Sequence, residues 1–263
     1  MRFFHVGQFF RGAIALILSL VLAGPVLLGQ PGVVRAEALG AIAEVHPPTP
    51  YRIRRRPSPD AIGKVYLGRE IAQVMGHRAA MWLERPSRLM EERPDLLLQL
   101  LNLPGDAVVA DIGAGTGLFS VRLAKQLPEG KVLAVDIQPE MLDILQFFKD
   151  EENLDNIELI QATDTDPHLP DNSVDLALVV DAYHEFEFPR EVMTGVVRSL
   201  KPKGQVVLAE YRGENPLIAI KPHHKMTQRQ VRKEMKAVGL VWQKTNQSLP
   251  QQHLMFFVRS QTP

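Results

Sequence analysis

The 263-residue chain carries 30 Lys and Arg against 30 Asp and Glu, a net charge of zero, with 45% apolar residues. This balance lacks the basic excess that bulk nucleic-acid binding needs, so no nucleic-acid partner is expected. With no cysteine, disulfides, thiolate metal sites and cysteine nucleophiles are excluded. In chain order, Arg2 and Arg11 come first, around a polar-aromatic start. An almost wholly apolar run from Ala13 to Ala23 follows, broken by Gly24 and Pro25 and trailed by "VVRAEA". Residues 1–38 read as an export signal with a small-residue cleavage site, or as an uncleaved membrane anchor. Residues 39–59 include "HPPTPYRIRRRPSP" and read as a Pro/Arg-rich linker.

Residues 60–93 read as a helical N-terminal addition, through "GREIAQVMGHRAAMWL". A second helix is expected from Pro94 to Gly105. Residues 94–263 then alternate apolar strands with amphipathic helices. Strands are expected at Ala107–Ile112, Lys131–Asp136, Ile157–Gln161, Asp175–Val180 and Gly204–Glu210. Helices are expected at Leu118–Gln126, Pro139–Lys149, Pro189–Leu200 and Thr227–Val238, the last with a Thr227/Gln230 capping box. Two closing strands, Leu240–Thr245 and His253–Arg259, have no helix between them and suit an antiparallel pair. The pattern predicts an α/β, doubly wound, seven-stranded and mostly parallel sheet. Trp82, Trp242, Phe256 and Phe257 read as core.

The stretch "VVADIGAGTGLFS" places Gly113, Gly115 and Gly117 at the carboxyl end of the first of these strands. Glycine there permits a tight turn and close backbone approach to a ligand, and the following helix offers free N–H groups. The G-x-G-x-G spacing differs from the G-x-G-x-x-G of dinucleotide sites, which argues against a nicotinamide-dependent oxidoreductase. Asp136 ends the next strand, where a carboxylate can accept from two ribose hydroxyls. Asp164 and Asp166 follow the third strand, and "DAYHEF" follows the fourth.

The motifs "VVADIGAGTG", "VLAVDI", "LPDNSVDLALVVDAYHEF" and "LKPKGQVVLAEYR" together resemble class I S-adenosylmethionine (AdoMet)-dependent methyltransferases, in order and spacing, over about Pro94 to Ser260. Within that superfamily the chain looks closest to small-molecule enzymes of the quinone-biosynthesis type. The resemblance implies AdoMet as methyl donor and a small molecule as acceptor. It implies that Asp111 and the backbone of Gly113, Ala114, Gly115 and Gly117 hold the methionine end. Asp136 would bind the ribose hydroxyls and Ile137 would pack on the adenine. Asp164 would lie near the adenine amino group, although "ATDTDPHLP" departs from the usual "GDAEDLP" and leaves Thr163 as the alternative. Asp181 would lie below the sulfonium. His184 stands where the acceptor pocket opens, as a general base or as a packing residue. Glu185 reads as a ligand for a cation or as a solvated acid. His184, His223 and His224 show no metal-ligand spacing, so no metal site is expected. The N-terminal addition would cover the acceptor pocket or cap the sheet. A non-catalytic module that keeps the AdoMet fold is the remaining alternative. Export sets a supply problem, because AdoMet is made in the cytosol.

Overall fold

The computed structural model describes residues 49–260. The signal-or-anchor reading of residues 1–38, and the linker reading as far as residue 48, lie outside the described residues.

Strands β4 (Val108–Ile112), β5 (Lys131–Asp136), β6 (Ile157–Gln161), β7 (Val174–Val180), β8 (Leu200–Tyr211), β9 (Leu240–Asn246) and β10 (Gln252–Arg259) form one sheet in the order β6-β5-β4-β7-β8-β10-β9. The first five run parallel, and β10 lies antiparallel between β8 and β9. The expected seven-stranded sheet is therefore present, with its closing antiparallel pair. The order reverses between β4 and β7, so the carboxyl ends of these strands flank the crevice in which open α/β sheets bind ligands.

The apolar runs are buried from both sides. Along β4, Val109 faces one layer while Ala110 and Ile112 face the other; Leu176 and Leu178 oppose Ala177 and Val179 along β7. Helices α3 (Pro94–Leu101), α4 (Leu118–Gln126) and α5 (Pro139–Glu151) cover the first face through Leu97, Leu123 and Leu145. Helices α6 (Pro189–Ser199) and α7 (Gln228–Ala237) cover the second through Met193, Val196, Val231 and Met235. Each fully buried Leu or Met side chain contributes about 1.5–3 kcal/mol. Proline opens α3, α5 and α6, where its missing N–H costs no hydrogen bond. Only half of the capping box forms at α7. Gln230 N donates to Thr227 Oγ1 at 3.2 Å, but the Gln230 amide turns to Glu234 and to the Leu67 carbonyl.

Residues 49–93 depart from the expected linker and helical addition. Strands β1 (Tyr51–Ile53), β2 (Ala61–Tyr66) and β3 (Arg69–Ala72) make an antiparallel meander. The cause is local: Leu67 and Gly68 have φ of 46° and 98°, the two left-handed residues of a two-residue hairpin turn. A helix through "YLGREIA" would forfeit that turn. Only single helical turns follow, α1 (Ala80–Leu83) and α2 (Arg88–Glu91), separated by Pro86.

The meander docks by buried polar contacts. Arg69 donates Nε and Nη2 to the two carboxylate oxygens of Glu234 at 2.8 and 2.9 Å, and Nη1 to the His184 carbonyl at 2.9 Å. Tyr51 packs against Phe188 and Tyr66 and donates to Glu191. Two aromatic assignments also change. Trp82 is 51% exposed and lines a cavity, and Trp242 is 39% exposed beneath the Arg232 guanidinium, whereas Phe256 and Phe257 are core.

Candidate functional site

The carboxyl ends of β4, β5 and β7 open into a cleft. The loop after β4 bends across β5, because Gly113 N and Ala114 N both donate to the Val135 carbonyl, at 2.8 and 3.0 Å. Positive φ at Gly113, Gly115 and Gly117 makes this turn. A Cβ on Gly113 would sit 2.6 Å from the Ala182 Cβ, and one on Gly117 would sit 2.1 Å from Leu145 Cδ1. Gly113 therefore keeps the crevice between β4 and β7 open, while Gly117 lets α4 pack on α5.

Asp136 is the hinge of this arrangement. Its Oδ2 accepts from Gly115 N at 2.8 Å and its Oδ1 accepts from Gln138 N at 2.9 Å. Burial raises its pKa, and these backbone N–H groups oppose the rise. Asp111 lies on the floor of the cleft and accepts from Ser120 Oγ at 2.6 Å. Burial pushes its pKa up to about 6, the Ser120 hydroxyl works against that rise, and the Asp136 charge adds to it.

Of the expected site residues, Asp111, Gly113, Ala114, Gly115, Asp136, Ile137, Asp164 and Asp181 line this one cleft. Thr163 lines it beside Asp164. Ile137 is 45% exposed, an apolar side chain presented at the end of β5. Gly117 does not line this cleft; it serves as the left-handed residue that starts α4. Asp181 follows β7 with φ of 46°. Its Oδ2 accepts from Gln252 Nε2, and its buried Oδ1 has no partner. Burial holds the Asp181 carboxyl well above its ordinary pKa, and the Glu92 and Glu210 carboxylates add to this.

A second cavity adjoins the first through shared walls at Val74, Met75, Leu83, Arg88, Asp181 and Glu185. His184 lines this second cavity and not the first. Its Nδ1 lies 2.7 Å from Glu210 Oε2, and its Nε2 lies 3.2 Å from His224 Nδ1. Burial disfavours the charged ring, but Glu210 and then Glu185 outweigh it and raise the pKa to about 10. An imidazolium held this firmly is the opposite of what a general base at neutral pH needs. Burial raises the pKa of Glu185, but hydrogen bonds from His184 and His224 pull it down to about 2.

Several polar residues of the second cavity had no signature in the sequence. Buried Glu92 accepts from Arg88 Nε at 2.8 Å, from Arg85 Nη2 at 3.1 Å and from Tyr211 Oη at 2.9 Å. Glu210 accepts from Tyr183 N at 3.0 Å as well as meeting His184. The only available signal was an acid, Glu210, at the end of an otherwise apolar strand.

Residues 104–256 match the family model described as a methyltransferase domain. The chain is 34% identical over 102 residues to an uncharacterized methyltransferase-like protein of Schizosaccharomyces pombe, covering 39% of this chain and 37% of that protein. It is 31% identical over 117 residues to the demethylmenaquinone methyltransferase of Bacillus licheniformis, covering 44% and 50% of the two chains. The chain thus spans half or less of these curated relatives. Among solved structures, a SAM-dependent methyltransferase from Aquifex aeolicus superposes with a TM-score of 0.66 at 23% identity, over 70% of this chain and 98% of that one, and so shares the fold.

Proposed function

The chain belongs to the methyltransferase domain family, of the class I AdoMet-dependent type, and on that footing we propose that it moves a methyl group from AdoMet to a small-molecule acceptor. The observation that carries the reading is the cleft built from the glycine loop and Asp136, joined by shared walls to a second cavity. One cavity takes the donor and the other the acceptor. The residues suit the donor. Gly113 and Gly115 leave the backbone bare, Asp136 offers carboxylate lone pairs at a strand end, and Ile137 offers an apolar surface for a base. The buried Asp181 Oδ1 is without a partner, and the residue lines the cleft, so a bound ligand can supply the missing hydrogen bond. Asp164 and Thr163 also line the cleft, and either suits an adenine amino group.

AdoMet supplies an activated methyl on a sulfonium, so the protein's share is positioning, which can account for much of the rate. Val74, Met75 and Leu83, from the segment after the meander, wall both cavities and exclude water where the two meet. Similarity to demethylmenaquinone methyltransferases supports a small organic acceptor.

Calorimetry with the full-length chain tests the reading. Asp136→Ala is expected to weaken AdoMet binding at least about tenfold, or ~1.4 kcal/mol, with the fold retained. Unchanged affinity overturns the ribose assignment. Labelled methyl groups followed into metabolite extracts identify the acceptor. The apolar segment at residues 13–23 supports export or membrane anchoring; fractionation with the mass of the mature N-terminus tests that part.

A further inference from the structure

Three side chains of metal-ligating type converge in the wall of the second cavity. His184 and Glu185 lie on the turn after β7, and His224 lies on the turn Pro222–His224 after β8. His184 Nε2 is 3.2 Å from His224 Nδ1 and 3.6 Å from Glu185 Oε1, and His224 Nδ1 is 3.3 Å from Glu185 Oε1. A tetrahedral zinc ion with bonds of about 2.0–2.1 Å sets its ligand atoms about 3.3 Å apart. The three atoms therefore make one face of such a tetrahedron.

The supporting contacts are those of a metal centre. The far nitrogen of His184 is held by the buried Glu210 at 2.7 Å, the carboxylate–histidine arrangement that fixes the ring of a metal ligand. Glu210 is itself held by Tyr183 N at 3.0 Å. The second oxygen of Glu185 accepts from Met75 N at 3.1 Å, which leaves Oε1 directed at the two imidazoles. We propose that His184, Glu185 and His224 bind a divalent transition-metal ion of the zinc class, which takes the place of the proton shared at His184 Nε2 and releases it to solvent, with its remaining position open to the second cavity. Two imidazoles and one carboxylate suit zinc and its neighbours, whereas magnesium and calcium take oxygen ligands. The site stands on these distances. Its use rests on the methyl-transfer reading: an acceptor hydroxyl or thiol at the open position gives its proton to solvent, its lone pair forms the bond to the methyl carbon, and the sulfonium carbon–sulfur bond breaks to leave neutral S-adenosylhomocysteine.

The full-length chain, stripped with a chelator and reloaded, is titrated with Zn²⁺ and with Co²⁺ as a visible probe. One ion per chain is expected, with a d–d band of low-coordinate Co²⁺. His224→Ala is expected to weaken binding at least roughly 100-fold, beyond the 10–100-fold loss typical of removing an outer partner. His223→Ala serves as control, because His223 faces Glu70 at 3.8 Å and lies outside the triangle; it should bind like the parent. Adding 2-mercaptoethanol should shift the Co²⁺ spectrum, and an unmoved spectrum overturns the open position. Failure to bind a stoichiometric ion, or parental affinity in His224→Ala, overturns the site. AdoMet calorimetry on the same samples separates the two readings. AdoMet bound without zinc overturns the metal alone, and zinc bound without AdoMet overturns methyl transfer alone.

Discussion

The glycine-loop cleft and the second cavity share walls, yet they are held together by different physics. In the cleft, the Asp136 carboxylate is satisfied by backbone N–H groups of Gly115 and Gln138. In and behind the walls of the second cavity lies an assembly of side chains distant in sequence. Glu92 joins Arg85, Arg88 and Tyr211, Glu210 joins His184, and Arg69 joins Glu234. Backbone-satisfied charge is secure wherever the loop forms. A buried side-chain network is secure only while every member is present. Loss of the Asp136 carboxylate should therefore appear in ligand affinity, and damage to the side-chain network in folding itself.

The largest expected effect tests the networked side. Glu92→Ala strands Arg88, which is only 6% exposed, and should cost about 3–5 kcal/mol in urea denaturation. A loss below about 1 kcal/mol would erase the contrast, since that is the range of a surface pair. Next is Gly117→Ala. Its φ of 93° and the approach to Leu145 predict a loss of about 3 kcal/mol, from left-handed strain together with overpacking. Full stability in that variant would show that α4 and α5 can separate freely.

Asp111→Asn should act in the opposite direction. Burial lifts the carboxyl to about 6 in the fold from an ordinary 3.8, so between these values the folded state holds the extra proton. Stability then falls as pH rises through that window, and the full cost is present above it. Asn cannot ionise, so the variant should gain about 2 kcal/mol at pH 7.5 and lose that falling limb. A variant less stable than the parent at neutral pH would mean that the charge is compensated within the fold. The smallest effect belongs to the meander. Gly68→Ala places a side chain at φ of 98° with no clash, its Cβ 3.8 Å from Lys233 Nζ, and should cost about 1 kcal/mol, read as a small shift of the melting temperature.

The same contrast explains what was legible beforehand. Strand β5 and strand β6 fall at the expected bounds, and the glycine loop, Asp136 and Asp181 meet in one cleft as their strand-end positions imply. Residues 60–93 read as helical in the sequence because their apolar spacing suits either periodicity. The turn at Leu67 and Gly68 decides between them only when both residues take positive φ. Trp82 was assigned to the core on composition, whereas a cavity wall holds it half exposed under the Arg85 guanidinium. The triangle of His184, Glu185 and His224 was invisible because ligand spacing can be read only within one segment, and here two turns supply it.

By itself the sequence determined the alternation of strands and helices, the closing antiparallel pair and the glycine loop with its acids. Each of these rests on hydrophobic periodicity or backbone conformation, which are properties of neighbouring residues. Only the tertiary structure decided the second cavity, the partners of its buried charges and the gathering of two histidines with a glutamate. Those contacts join residues up to 165 positions apart, as between Arg69 and Glu234, and their energies depend on a burial that no local pattern encodes.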